Sequence, residues 1–271
     1  MAEIEENGLK YVEFHVVDRC NLNCNGCSHF APMVQNDYDH FDSFSKDIKR
    51  LRELVEHIDT IRLLGGEPFL DKDITRYILL ARQLYPRSNI EIATNGLLVP
   101  HLSKNVLEAI SENGIVIDVT RYPPTDEIVD LIHHVLEKNG ISYRIQPLVK
   151  VFRRRFCPEG KADIAKTFKN CKIGRLYPFL YEGKLYLCSG PALVKHLNNY
   201  FNMSIEITGH GYDIHSEDAS AQGIYEFLSH GNGACAYCGK ICEEPWSRCV
   251  DVNNIDLMHW ISEESCYFSN R

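Results

Sequence analysis

Hydrophobic positions in this chain switch repeatedly between the two-residue period of a strand and the longer period of a helix. Residues 10–17 read as a first strand. Over 42–59, Phe44, Ile48, Leu51, Val55 and Ile58 share one helical face. The pattern then predicts strand 60–64, helix 71–84 stopping at Pro86, strand 89–94 and helix 103–112 ending before Gly114. Strand 115–120, helix 125–138 ending at Gly140, and strand 141–146 complete the series. Alternating strand and helix predicts parallel βα units, an α/β chain whose count suits a partial (β/α)6-type barrel. Ligands of such barrels sit at the C-terminal ends of the strands.

The alternation stops after Gln146. Residues 147–170 have no clear period, and beyond them lie short pieces: strand 183–188 after a turn, then helices at 191–201 and 221–229. The expected organisation is therefore a barrel core over 1–147, followed by a linker and a smaller β-hairpin-plus-helix unit over 148–271.

Composition narrows the function classes. The 271 residues are 44% apolar, enough for a sizeable core, with no run near the roughly 18 apolar residues of a membrane span. Net charge is −8, which argues against nucleic acid as a partner. The N-terminus, Met-Ala-Glu-Ile-Glu-Glu, lacks the basic and apolar regions of a secretory signal. The expectation is a cytoplasmic protein that engages neither membrane nor nucleic acid. In that compartment eleven cysteines point to metal, not disulfides.

Three of them, Cys20, Cys24 and Cys27, lie within eight residues just after the first strand. Three thiolates can hold three corners of a four-iron cube and leave one iron open, and an open position is what makes a metal site catalytic. A zinc knuckle is the competing reading. About forty residues on, Gly65-Gly66-Glu67-Pro68 ends the second strand. Glycines let backbone approach a ligand closely, and the carbonyls and the Glu67 carboxylate can accept from an ammonium group.

Together these runs resemble the radical S-adenosylmethionine (radical SAM) enzymes. The resemblance implies a [4Fe-4S] cluster on Cys20, Cys24 and Cys27 that reduces SAM to methionine and a 5′-deoxyadenosyl radical. It also implies that Gly65–Pro68 meet the methionine amino group, and that Thr94, Asn95, Thr120 and Arg121, at the ends of strands three and four, reach the ribose and carboxylate. Gly26 stands where the family usually has an aromatic against the adenine, so His29 or Phe30 is expected to take that contact.

Cys171 and Cys188 flank a hairpin-like stretch, and Cys235-Ala-Tyr-Cys238 follows. This resembles the Twitch domain, the shortened SPASM domain, and implies a second, fully ligated [4Fe-4S] cluster; zinc is the alternative. Cys157, Cys242, Cys249 and Cys266 are left over, either as small buried side chains or, for one of them, as a thiol hydrogen donor. Cys249 is the first candidate. Arg153, Arg154 and Arg155 form the single basic run, read as a clamp for an anionic substrate group or as a solvated face.

The expected activity is hydrogen abstraction from a small polar substrate. Oxidation would follow if the second cluster takes an electron, epimerisation if a thiol returns hydrogen. A one-electron donor such as flavodoxin or ferredoxin is implied. With the first strand beginning near residue 10, little chain is left for a peptide-recognition domain, which disfavours a peptide-modifying maturase. The run Cys27-Ser-His-Phe-Ala-Pro32 resembles compact members associated with carbohydrate and polysaccharide biosynthesis, so the substrate expected is a sugar, nucleotide sugar or aminocyclitol. The rival from another class is a non-catalytic Fe–S scaffold or electron carrier.

Overall fold

A computed structural model describes residues 8–35, 39–174, 176–207 and 211–262. Five strands, β1 (Gly8–Val17), β2 (His57–Gly65), β3 (Asn89–Thr94), β4 (Val116–Val119) and β5 (Tyr143–Ile145), lie parallel in chain order. The helices between them are α1 (Phe41–Leu54), α2 (Ile74–Leu84), α3 (Lys104–Glu112), α4 (Pro123–Asp126) and α5 (Val129–Lys138). This is the parallel α/β sheet of a partial barrel, as the periodicity predicts.

The strand side chains explain the layering. On one face Val12, Phe14, Ile61, Leu63, Ile90, Ile92 and Ile117 are buried with Phe44, Ile48, Leu51 and Tyr77 of the helices in one core. Each such side chain contributes about 1.5–3 kcal/mol by leaving water. The alternate positions are polar. Glu13, Arg62, Glu91 and Asp118 share the opposite, concave face. A sheet polar on its inner face has an interior built for a ligand rather than for packing.

Most boundaries shift by a few residues, and two differences change how a segment is read. The helix expected over 42–59 ends at Leu54, and Ile58 lies in β2. Val55 is extended (φ −128°, ψ 115°), and the parallel pairing of Leu9 with Ile58 outweighs the helical spacing. The helix expected over 125–138 splits into α4 and α5 at Ile128 (φ −119°).

The stretch without a period contains β6 (Val151–Phe156) and α6 (Ile164–Asn170). The hairpin is β7 (Phe179–Tyr181) with β8 (Lys184–Tyr186), and α7 (Ser189–Phe201) follows. Strand β7 pairs parallel to β1, so with β9 (Gly211–Asp213) the hairpin extends the barrel sheet in the order β5-β4-β3-β2-β1-β7-β8-β9. After α8 (Ala221–Ser229), β10 (Cys238–Pro245) returns to pair with β6 in a separate two-stranded sheet. No helix among the described residues is long and apolar enough to cross a membrane.

Candidate active site

Both motifs lie at the C-terminal ends of β1 and β2, and each builds the other. Gly66 and Glu67 donate their backbone N–H groups to the carbonyls of Val17 and Arg19, each at 2.8 Å, stitching the Gly-Gly-Glu-Pro turn to the strand end that launches the cysteine loop. A Cβ at Gly65 would lie 2.2 Å from the Val17 carbonyl oxygen, and one at Gly66 2.0 Å from that of Arg19. These glycines are demanded by the close approach of two chain segments, not only by a ligand.

Glu67 is fully buried. Its carboxylate accepts from the Phe69 N–H (3.2 Å), the Thr94 hydroxyl (2.8 Å) and the Asn95 N–H (2.8 Å). Burial pushes its pKa up to about 7 against the lowering effect of those three donors. The side chain is thus a latch between β2 and β3, and the polar groups offered to a ligand at this edge are the neighbours it orients.

Those neighbours line a cavity of about 350 Å³, with Cys20, Cys24, Cys27, Gly65, Gly66, Thr94, Asn95 and Thr120 in its wall. Burial raises the thiols, Cys20 to about 11 and Cys24 to about 12; Cys27 pushes both further up, and Cys20 adds to the rise of Cys24. Such mutual repulsion needs a positive partner, which iron supplies. Among the described residues no three ligating side chains converge on one ion-sized point; a cube that gives each thiolate its own iron does not require that they do. The donor set fits a SAM cluster. Asn95 donates to Asn21 at 2.7 Å and reaches the Cys20 sulfur at 3.7 Å, tying β3 to the cysteine loop.

His29 also lines this cavity, with Nδ1 2.8 Å from the Gly65 carbonyl. Phe30 instead lines a second cavity and packs edge-on to Phe156. Arg121 is bound to Asp126, its Nε at 2.6 Å, and is not in the cavity wall. Its neighbour Tyr122 is, as is Phe152, whose ring centroid lies 5.9 Å from that of Tyr122. No sequence signal marked this aromatic pair; the one available clue was that Tyr122 follows a strand end.

The cysteine loop is covered from behind by the segment after β10. The Cys249 N–H donates to Asn23 (2.7 Å), the Asn25 N–H to Ser247 (3.0 Å), Arg248 to Leu22 (3.0 Å), and Trp260 Nε1 to Cys27 (2.9 Å). Trp246 Nε1 donates to the Cys24 sulfur itself at 3.2 Å. A donor to a ligand sulfur favours the reduced, more negative cluster. Trp246→Phe, which keeps the ring near Tyr122 but removes the N–H, should lower the reduction potential of the first cluster in an EPR-monitored titration. An unchanged potential would remove Trp246 from the cluster's surroundings.

Beneath the loop, one buried carboxylate gathers three histidines. Asp18 lies 2.7 Å from His15 Nε2, 3.2 Å from His40 Nε2 and 3.4 Å from His196 Nε2. Burial alone would raise Asp18, but the bonds from these imidazoles hold it well below the usual carboxylate range. The cluster pins the end of β1 to the start of α1 and to α7.

Cys171, Cys188 and Cys238 line the second cavity, of about 200 Å³. Burial raises Cys188, and Cys238, Cys171 and Cys235 raise it further, which places all four thiols in electrostatic reach of one another. Cys188 is the N-cap of α7, where the helix dipole favours a thiolate. The Cys171 sulfur accepts from the Gly174 N–H at 3.2 Å. The two cavities share Gly26, Ser28 and Arg153 in their walls and therefore adjoin.

Arg153, Arg154 and Arg155 all line the second cavity, each with its own partner. Arg153 pairs with Glu243 (2.8 Å) and Arg154 with Glu244 (2.9 Å) of β10, while Arg155 lies 3.9 Å from the Cys171 sulfur. Cys249 lines neither cavity; its thiol is 3.4 Å from the Asp251 carbonyl, on the covering segment. Cys242 contacts Ser262 at 3.3 Å, Cys157 is fully buried, and Cys266 lies outside the described residues.

Comparison with known proteins agrees with this geometry. The chain is 30% identical over 152 residues to a GTP 3′,8-cyclase of Clostridium acetobutylicum, covering 51% of this chain and 47% of that one. It is 26% identical over 123 residues to that of Alkaliphilus oremlandii, covering 42% and 35%. The chain thus matches less than half the length of these relatives. Among solved structures, BtrN in complex with AdoMet and 2-DOIA is similar over 93% of this chain and 98% of that one, at 16% identity and a TM-score of 0.47. AdoMet-bound anSMEcpe is similar over 52% and 42%, at 17% identity and a TM-score of 0.42. The radical SAM superfamily profile matches residues 14–154, from the first strand through the polar floor to the rim of the second cavity, and the chain belongs to that superfamily.

Proposed function

We propose that this radical SAM enzyme oxidises a small polar substrate, a sugar, nucleotide sugar or aminocyclitol, with Cys171, Cys188, Cys235 and Cys238 holding an auxiliary [4Fe-4S] cluster. When bound, the first cluster and SAM supply a 5′-deoxyadenosyl radical that takes one hydrogen atom from a substrate carbon, and the auxiliary cluster accepts the remaining electron as a proton leaves. The observation that supports this reading is that Cys171, Cys188 and Cys238 line a cavity adjoining the first, with Cys235 within electrostatic reach of Cys188. The Gly190 N–H at Cys188 and the charge of Arg155 near Cys238 act against the burial that raises these two thiols. Residues 26–28 form the partition between the sites.

The chain's own groups bind and shield. Thr120 and Asn95 present polar atoms at the rim, while Tyr122 and Phe152 exclude water. The nucleotide of the GTP 3′,8-cyclases is not carried over, because the matched stretch is less than half of their length. Epimerisation by a thiol donor is disfavoured by the placement of Cys249 outside both cavities. A flavodoxin- or ferredoxin-type protein would supply the priming electron.

Anaerobically reconstituted protein with substrate should give a product lighter by two hydrogens, with no solvent deuterium at the abstracted carbon. Cys171→Ala/Cys188→Ala should still cleave SAM but release no oxidised product. A product of equal mass that carries one deuterium from heavy water would overturn oxidation in favour of epimerisation.

A further inference from the structure

At the floor of the first cavity, charge is left over. Arg62 bonds to Asp118 (2.6 Å) and Glu91 (3.0 Å), and Arg144 to Glu91 (2.7 Å) and Asp118 (3.4 Å). Two cations and two carboxylates make a neutral quartet. Glu13, opposite Arg62 in the β1–β2 register, faces the same cavity and stands outside that quartet. The Tyr11 hydroxyl donates to its Oε1 at 3.1 Å, and among the described residues no cation pairs with it. Arg153, the other cation in the wall, is held by Glu243 at the exposed rim.

Depth separates Glu13 from the cofactor edge. It lies four residues before Val17, the partner of Gly65, and so about 13 Å down the strand from the Gly-Gly-Glu-Pro turn. Burial raises its pKa to about 7, against the lowering effects of the Tyr11 hydrogen bond and Arg62. A half-buried carboxylate that no ion pair neutralises is costly to ionise unless a ligand supplies the charge.

We infer that Glu13 is the recognition carboxylate for a cationic group on the substrate, so that the substrate class is an aminated polyol, an aminocyclitol or amino sugar, and not a neutral or anionic sugar. The inference rests on the proposed small-substrate reading and narrows it. The ammonium meets the free side of Glu13 at the cavity floor, which leaves the opposite side of the ring toward the cysteine rim. The raised carboxyl becomes fully ionised once the ammonium is beside it.

The test is calorimetry on reconstituted, SAM-loaded protein with ring pairs that differ only in the amine: scyllo-inosamine against scyllo-inositol, and glucosamine against glucose. At least one aminated ring should bind about 10-fold or more tighter than its neutral partner, the size of one charge-assisted contact. Glu13→Gln should erase that preference and leave SAM affinity unchanged. Equal affinities within both pairs, no binding of either aminated ring up to about 10 mM, or a preference that survives in Glu13→Gln each overturn the inference. So does an equal loss of SAM affinity in Glu13→Gln, which would assign the carboxylate to the cofactor's own cation. The wild-type comparison stands even if the variant misfolds. SAM binding and cleavage by wild type are measured alongside: their absence defeats the proposed function, whereas their presence without an amine preference defeats only this inference.

Discussion

Replacing Cys20, Cys24 and Cys27 together by alanine is expected to lower the iron content from about eight to about four per chain and to abolish SAM cleavage. The three thiols sit in one loop and in one cavity wall. The other loop positions supply asparagines, Leu22 and Gly26, which are poor iron ligands. Without thiolates the first cube has nothing to hold three of its corners. The second four cysteines come from the end of α6, the start of α7 and the turn that leads into β10, far along the chain, so their irons should remain. Iron and sulfide assays with Mössbauer spectroscopy read the outcome. A triple variant that keeps all its iron would sink the assignment of the first site, and one that loses all of it would show that the two sites are not independent.

Glu67→Ala should be nearly as damaging, through the protein rather than the ligand. The substitution strands two backbone N–H groups and one hydroxyl in a fully buried place. Each unsatisfied donor costs about 1–3 kcal/mol, so the total is on the order of 3–9 kcal/mol, comparable with the whole stability of many domains. The denaturation midpoint of the metal-free protein should fall sharply, and SAM affinity should fall with it because Thr94 and Asn95 lose their anchor. If the carboxylate served only an ammonium ligand, SAM affinity would drop about 10- to 150-fold with the metal-free midpoint unmoved. That result would refute the latch.

Much of this was legible before any coordinates. The alternation of βα units was readable because the apolar positions of β1 to β4 all face one layer of helices. The cysteine loop and the Gly-Gly-Glu-Pro turn were readable because each is contiguous. What escaped depends on pairing at long range. Val55 and Ile58 continued a helical spacing by coincidence, and only the partner strand decides that Ile58 is extended. Three consecutive arginines read as one feature, and only β10 supplies Glu243 and Glu244 as ion-pair partners for two of them. The histidines around Asp18 come from positions 15, 40 and 196, a spacing that carries no pattern. Likewise, nothing local says that a tryptophan at 246 meets a sulfur at 24.

That last contact sets an order of events in the making of the enzyme. Cys24 and Trp246 are 222 residues apart. At usual synthesis rates the ribosome needs roughly 10–45 s to pass from one to the other. Throughout that interval the sulfur loop exists without its cover. In that interval metal and oxygen can approach the loop from the side the far segment later covers as well as from the cavity that the three thiols line. Once residues 246–260 dock, the loop carbonyls of Leu22, Asn23 and Cys27 and the sulfur of Cys24 are all engaged. The return of the far segment thus changes the direction from which metal meets the loop: from either side before it docks, and through the cavity afterwards.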